Sequence, residues 1–249
     1  MSISLGQAFH DLTKTPQKGM TILWMSVCGL IPIAGPMVLT GYLYRRFAKV
    51  RLGQESEDFN VDHFMDYLWA GLPPFLAGLV ASLLLIPALI IAYVLMFGGI
   101  MIGTQSGNGA IVAIGVVVGM LLMILLFAFI YLFIIPVQLR AGLEQQFGAG
   151  FNMAFVKSFV AKEGPSLFKW YVLLSLMAFP AMIIGYCALL VGLYVVIAVM
   201  SFVTWHIVFQ HYDNYIAKGG EPVPFSDQLI YGKSVVEGTR PPPAAPPPA

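Results

Sequence analysis

Three stretches of this chain, residues 19–44, 67–139 and 170–212, contain no Asp, Glu, Lys or Arg, and Leu, Ile, Val, Met, Phe and Gly dominate them. A water-facing fold cannot carry runs that long, because its surface needs charged residues at short intervals. A bilayer makes the opposite demand: about 20 apolar residues per helical crossing, with every backbone N–H and C=O satisfied inside the segment. The pattern predicts an all-α, polytopic transmembrane helical bundle. Charged residues are 10% of the chain, against about 25% in soluble domains. A net charge of +1 gives no bias toward nucleic acid, and none is expected as a partner. Cys28 and Cys187 lie in charge-free stretches, which favours packing over a disulfide. A cleaved leader is not expected: Asp11 sits in the would-be basic region, and no small-x-small site precedes Pro36.

Length sets the number of spans. The 67–139 stretch is too long for one helix and breaks at the polar turn Thr104-Gln105-Ser106-Gly107-Asn108-Gly109, giving spans near 75–103 and 110–138, the first kinked at Pro87. The 170–212 stretch divides at Gly185-Tyr186-Cys187 into spans near 169–184 and 188–210, with one steeply tilted helix as the alternative. In 19–44, Pro32 and Pro36 remove two backbone donors and favour a hairpin of helices near 18–31 and 35–52 over a single span. The basic residues support the hairpin. With paired spans between basic groups, every Lys and Arg falls on the cytoplasmic side, and so does the carboxyl terminus.

Each apolar stretch follows an amphipathic segment closed by proline. Leu5, Ala8, Phe9 and Leu12 precede Pro16; Val61, Phe64, Met65, Leu68, Trp69 and Leu72 precede Pro73-Pro74; Phe151, Phe155 and Phe159 precede Pro165. The spacing places these residues on one helical stripe. The expected architecture is therefore three helical hairpins, each preceded by a short amphipathic helix at the headgroup boundary or capping the bundle. Residues 1–217 form one membrane domain. From Lys218, the prolines of residues 218–249 read as a solvated cytoplasmic tail of polyproline II bias, able to dock a protein partner.

Little in the sequence carries chemistry. No Asp, Glu, Lys or Arg lies at mid-span, where ion-driven transport usually needs one. His206, His211 and Asp213 lack the i, i+4 spacing of a helical zinc site, so no metal, cofactor or catalytic residue is assigned. Arg45, Arg46, Lys49 and Arg51 are candidates for contact with anionic lipid headgroups, beside the ordinary role of fixing topology. The pairs Gly99-x-x-x-Gly103 and Gly115-x-x-x-Gly119 point to tight helix packing.

Ile31-Pro32-x-x-Gly35, then Gly41-Tyr42 and a basic group, resembles the opening of the bacterial and archaeal membrane proteins called domain of unknown function 4013. Phe59-x-x-Asp62-x-Phe64-x-Asp66-x-Leu68-x-x-Gly71-Leu72 resembles that family's acidic and aromatic stretch. The resemblance covers most of residues 15–215, is distinctive only in 31–72, and leaves the proline tail outside. It implies a multi-spanning protein, in a bacterial inner membrane, with no activity or catalytic residues to carry over. Two functional expectations follow. One is a non-catalytic scaffold, assembly or accessory component whose partners are the bilayer and another protein. The other is a transporter or channel subunit for a neutral or lipid-like substrate, with Gln105, Asn108, Gln138 and Thr204 as its polar path.

Overall fold

The computed structural model describes residues 3–14, 17–54, 56–83, 86–188 and 191–232, and these residues form helices and loops with no strand. The helices are α1 (Leu5–Thr13), α2 (Lys18–Gly29), α3 (Ala34–Arg51), α4 (Phe64–Leu83), α5 (Ile86–Gln105), α6 (Gly109–Glu144), α7 (Met153–Cys187), α8 (Val191–Ala217) and α9 (Asp227–Tyr231). Five helical segments, Val61–Leu83, α5, α6, α7 and Gly192–Ala217, are long and apolar enough to cross a membrane. Asn108 and Asn152 start α6 and α7 by accepting a hydrogen bond from the backbone N–H of Ala110 and Phe155, at 3.0 Å each.

The segment expected as one kinked span, 75–103, is two helices, α4 and α5, that run in series along α6. Ala70 meets Gln145, Gly78 meets Gln138, Met96 meets Gly119, and Gly99 meets Gly115. In each pair the residue numbers add to between 214 and 216, so a single antiparallel register runs the whole way. Gly99 and Gly115 let the two backbones touch, since a Cβ on either would press on the other's backbone. The glycine pairs thus close the α5–α6 hairpin itself. Pro87 falls in the first turn of α5, where its missing N–H costs nothing.

The prolines do not end the second and third amphipathic segments, as had been expected. α4 continues through Pro73 and Pro74, and α7 through Pro165 and Pro180. A proline inside a helix orphans the carbonyl four residues earlier. For Pro74 that carbonyl is Ala70 O, and the Gln145 side chain donates to it at 3.0 Å. Neither segment is therefore a separate surface helix; each is the first part of a long one. α1 does stand alone, and its stripe packs inward: Ala8 meets Leu174, Val203 and Ile207, while Leu12 joins the main core.

The 19–44 stretch is a hairpin, as the prolines suggested, but a shallow one. α2 has 12 residues, about 18 Å of helix against a hydrocarbon core of about 30 Å. Met37 near the start of α3 is level with Gly71 in α4, so the turn reaches only partway along the α4–α5 path. The exposed apolar side chains Leu30, Ile31 and Ile33 tip it. Leu30, Ile31, Ala34 and Gly35 donate their N–H groups to nearby carbonyls, and Pro32 and Pro36 have none to satisfy. A turn entering lipid needs that economy of donors.

α3 is buried on nearly every side, with Tyr42 and Tyr44 fully enclosed. It crosses α4 where Gly41 faces the Tyr67 carbonyl and Gly71 the Met37 carbonyl; a methyl at either glycine would collide with backbone. The main core lies at the charged end, built from Tyr42, Tyr67, Leu139, Phe155, Phe159 and Tyr215 among others. By contrast α5 and the first two-thirds of α6 expose most of their apolar side chains. The boundary expected at residue 218 moves outward. Val223 and Leu229 are buried in the same core, Val223 N–H donates to Tyr212 OH at 2.7 Å, and Ser226 N–H donates to Leu143 O at 3.0 Å. The terminal proline runs lie outside the described residues.

Candidate functional site

Antiparallel pairing gathers the ends of α3, α6 and α8 with the starts of α1, α4 and α7, and the charges come with them. α3 is the hub because its last turns carry four cations on different sides.

Arg45 turns toward α4. Its guanidinium lies 3.3 Å from Asp66 and 3.9 Å from Glu57, and 5.4 Å from the Tyr67 ring centre. Glu57 also takes the Lys49 ammonium at 2.7 Å and accepts the Tyr67 hydroxyl at 2.9 Å. Burial alone would raise the Glu57 pKa. Lys49, Arg45 and the Tyr67 hydroxyl outweigh it and hold the carboxyl below its usual range.

Arg46 turns the opposite way. It donates to Tyr42 OH at 2.9 Å, Glu57 O at 3.3 Å and Asp11 O at 3.1 Å, and lies over Phe202 at 5.2 Å. Arg51 pairs with Asp213 on α8 and lies 5.7 Å from the Phe47 and Tyr212 ring centres. The cluster expected on headgroups is therefore divided. Arg45 and Arg46 are buried on protein partners, at 3% and 8% exposure, while Lys49 and Arg51 keep part of their side chains at the surface.

Two histidines fasten helices. His206 Nε2 lies 2.8 Å from Asp11 Oδ2, and its Nδ1 lies 2.8 Å from the Gln210 amide nitrogen. Ser4 fixes that amide's orientation: its N–H donates to Gln210 Oε1 at 2.7 Å, and its carbonyl accepts from Gln210 Nε2 at 3.1 Å. The ring thus stands between the Asp11 carboxylate and the Gln210 side chain. Three side chains thereby latch α1 to α8. His211 Nδ1 lies 2.7 Å from Glu163 on α7, whose other oxygen lies 2.6 Å from the Lys218 ammonium. His211 and Glu163 are fully buried. Asp213 faces Arg51, so His206, His211 and Asp213 each serve a different partner.

The pairing partners Asp11, Glu57, Glu163 and Gln210 carry no local signal in the sequence. Asp66 lies in the acidic and aromatic stretch. The polar residues expected to line a path are dispersed: Asn108 caps α6 at the far turn, and Gln138 lies 30 residues along α6, about 45 Å away, against Gly78. Cavities of about 630, 420 and 530 Å³ lie among the helix ends at the charged end. The first contains Lys49, Glu57 and His63, the second Arg46, Arg51 and His206, the third Glu163, Lys169 and Lys218.

No curated protein and no solved structure matches the chain. A family model described as "Protein of unknown function (DUF4013)" matches residues 24–192, which take in the second half of α2 and all of α3, the Gly41–Gly71 crossing, the Arg45–Glu57–Asp66 cluster and the α5–α6 hairpin. The chain belongs to the DUF4013 family.

Proposed function

We propose that this chain is a non-catalytic component of a bacterial inner membrane, a scaffold, assembly or accessory subunit whose charged end is a rigid cytoplasmic platform. The observation that carries the reading is how the charges at that end are used. Arg45, Arg46, Arg51, His206 and His211 each bind a group on another element, so they hold helices together. The orientation follows from the same end holding every Lys and Arg among the described residues, with the 104–109 turn uncharged. The proline tail beyond is a second docking element for a protein partner.

Gentle-detergent purification of the full chain with mass spectrometry of what accompanies it tests the reading. One protein partner at fixed stoichiometry is expected. Solute flux in liposomes holding the purified chain alone would replace this reading with transport of a neutral or lipid-like substrate, for which the partly aromatic 420 Å³ cavity is the supporting feature.

A further inference from the structure

The 420 Å³ cavity between α1, α3 and α8 has two unlike halves. Leu43, Phe47, Val50, Phe202 and Phe209 form an apolar side, while Lys14, Arg46 and Arg51 contribute cations and Asp11 and Asp213 carboxylates. The volume is that of a small-molecule site. It also stands where the apolar lengths of α3 and α8 give way to their charged ends.

The charge inside the cavity is not balanced. Three cations, Lys14, Arg46 and Arg51, face two carboxylates, Asp213 on Arg51 and Asp11 on His206. Arg46, 8% exposed, bonds three neutral oxygens: the Tyr42 hydroxyl and the carbonyls of Glu57 and Asp11. Among the described residues no carboxylate pairs the Lys14 ammonium, which stands exposed at the rim. A buried guanidinium bonded only to neutral groups keeps its full positive field, and that field is strongest in a low-dielectric recess. The outer wall is α1, whose Gln7, Asp11 and Lys14 line the cavity while Leu5, Ala8 and Phe9 pack on the bundle.

We infer that this cavity binds an anionic phosphodiester carrying a hydrocarbon chain, a phospholipid headgroup with the start of its acyl region. The phosphate lies toward Lys14, Arg46 and Arg51, where charge-assisted hydrogen bonds to phosphate are strongest. The glycerol and first methylenes lie on Phe47, Phe202 and Phe209. Such a ligand joins the α1 latch to the bilayer. The assignment depends on membrane embedding but not on which protein the bundle serves.

The test is native mass spectrometry of the full chain, delipidated and then incubated with phosphatidylglycerol, with phosphatidylcholine, or with inorganic phosphate. Phosphatidylglycerol is expected to be retained over phosphatidylcholine, and phosphate alone not to be retained. Each cation near a lipid headgroup is worth about fivefold in affinity, so Lys14→Gln should lower retention about fivefold and Lys14→Gln with Arg51→Gln about 25-fold. Lys157→Gln, on an exposed part of α7, is the control and should change nothing. Lys14 is exposed, so its single variant reads out even if the double variant does not fold. Equal retention of both lipids, or a Lys14→Gln variant that binds like the parent, overturns the site. Retention of inorganic phosphate as firmly as lipid overturns the amphiphile and leaves a simple anion site.

Discussion

At Pro74 the chain gives up a backbone donor in mid-helix, and one side chain from another helix makes good the loss. Gln145 donates to Ala70 O while itself sitting in the left-handed conformation that ends α6. Gln145→Ala should therefore destabilise the protein by about 1–2 kcal/mol, the cost of stranding a largely buried acceptor. Pro74→Ala would restore the backbone N–H, and in that background Gln145→Ala should cost less than half as much. Thermal unfolding of the four proteins in detergent gives the coupling; equal costs in both backgrounds would refute the repair. Glu57 has a pH signature. Its folded pKa lies below the ordinary 4.5, so its contribution is complete above that value and is lost as pH falls through the lowered one. The melting midpoint should drop below about pH 5 in the parent and drop less in Glu57→Gln. Parallel pH curves would remove Glu57 from the account. Neither effect was legible in the sequence. Pro74 read as a helix stop because proline usually is one, and its repair lies 71 residues away in the chain.

The elements were more legible than their joints. Charge-free length and the polar 104–109 turn placed α6 and the end of α5 but not the division between α4 and α5, and Pro32 with Pro36 placed the α2–α3 break, because these features act locally on the backbone. The continuity of α4 and α7 was not legible, since an amphipathic stripe reads alike whether it lies on a membrane or against helices. The structure answers differently for the two: in α7 Phe155 lies edge-on and Phe159 tilted against Tyr215, whereas in α4 Met65 and Trp69 stay exposed, as does Val61 just before it. Buried charge was equally hidden, because Arg45 and Arg46 look like any basic cluster after a span until Glu57 and Asp66 close on the first and Tyr42 with the Glu57 and Asp11 carbonyls on the second. The α1 latch makes its own prediction. Gln210→Ala removes both Ser4 bonds and the lock on His206, so hydrogen exchange should speed up in α1 by about tenfold or more while α3 stays protected. Unchanged exchange in α1 would mean that its apolar stripe alone holds it.

As a whole the molecule has two halves with different solvents. The apolar half exposes Leu, Ile, Val and Phe along α5, α6 and α7, and the polar half buries aromatic rings and pairs its charges. At about 1.5 Å per residue, the uncharged part of α6 from Gly109 to Leu139 spans roughly 45 Å, the thickness of a bilayer with its headgroups. The rest of α6 stands outside, buried in the aromatic core. One fold thus holds a lipid-facing shaft and a water-facing platform, joined by helices that run through both. The shared solvent of each half is the central claim, and the native thiols allow a direct test. Cys187 is exposed at the last residue of α7, Cys28 is buried, and Lys157 is exposed near the other end of α7. Membrane vesicles of known sidedness, treated with a membrane-impermeant maleimide, should label Cys187 only from the face opposite the platform. In a chain with Cys28→Ser, Cys187→Ser and Lys157→Cys, only the platform face should label. Labelling of both positions from one face, or extraction of the chain from vesicles by alkaline carbonate, would contradict it.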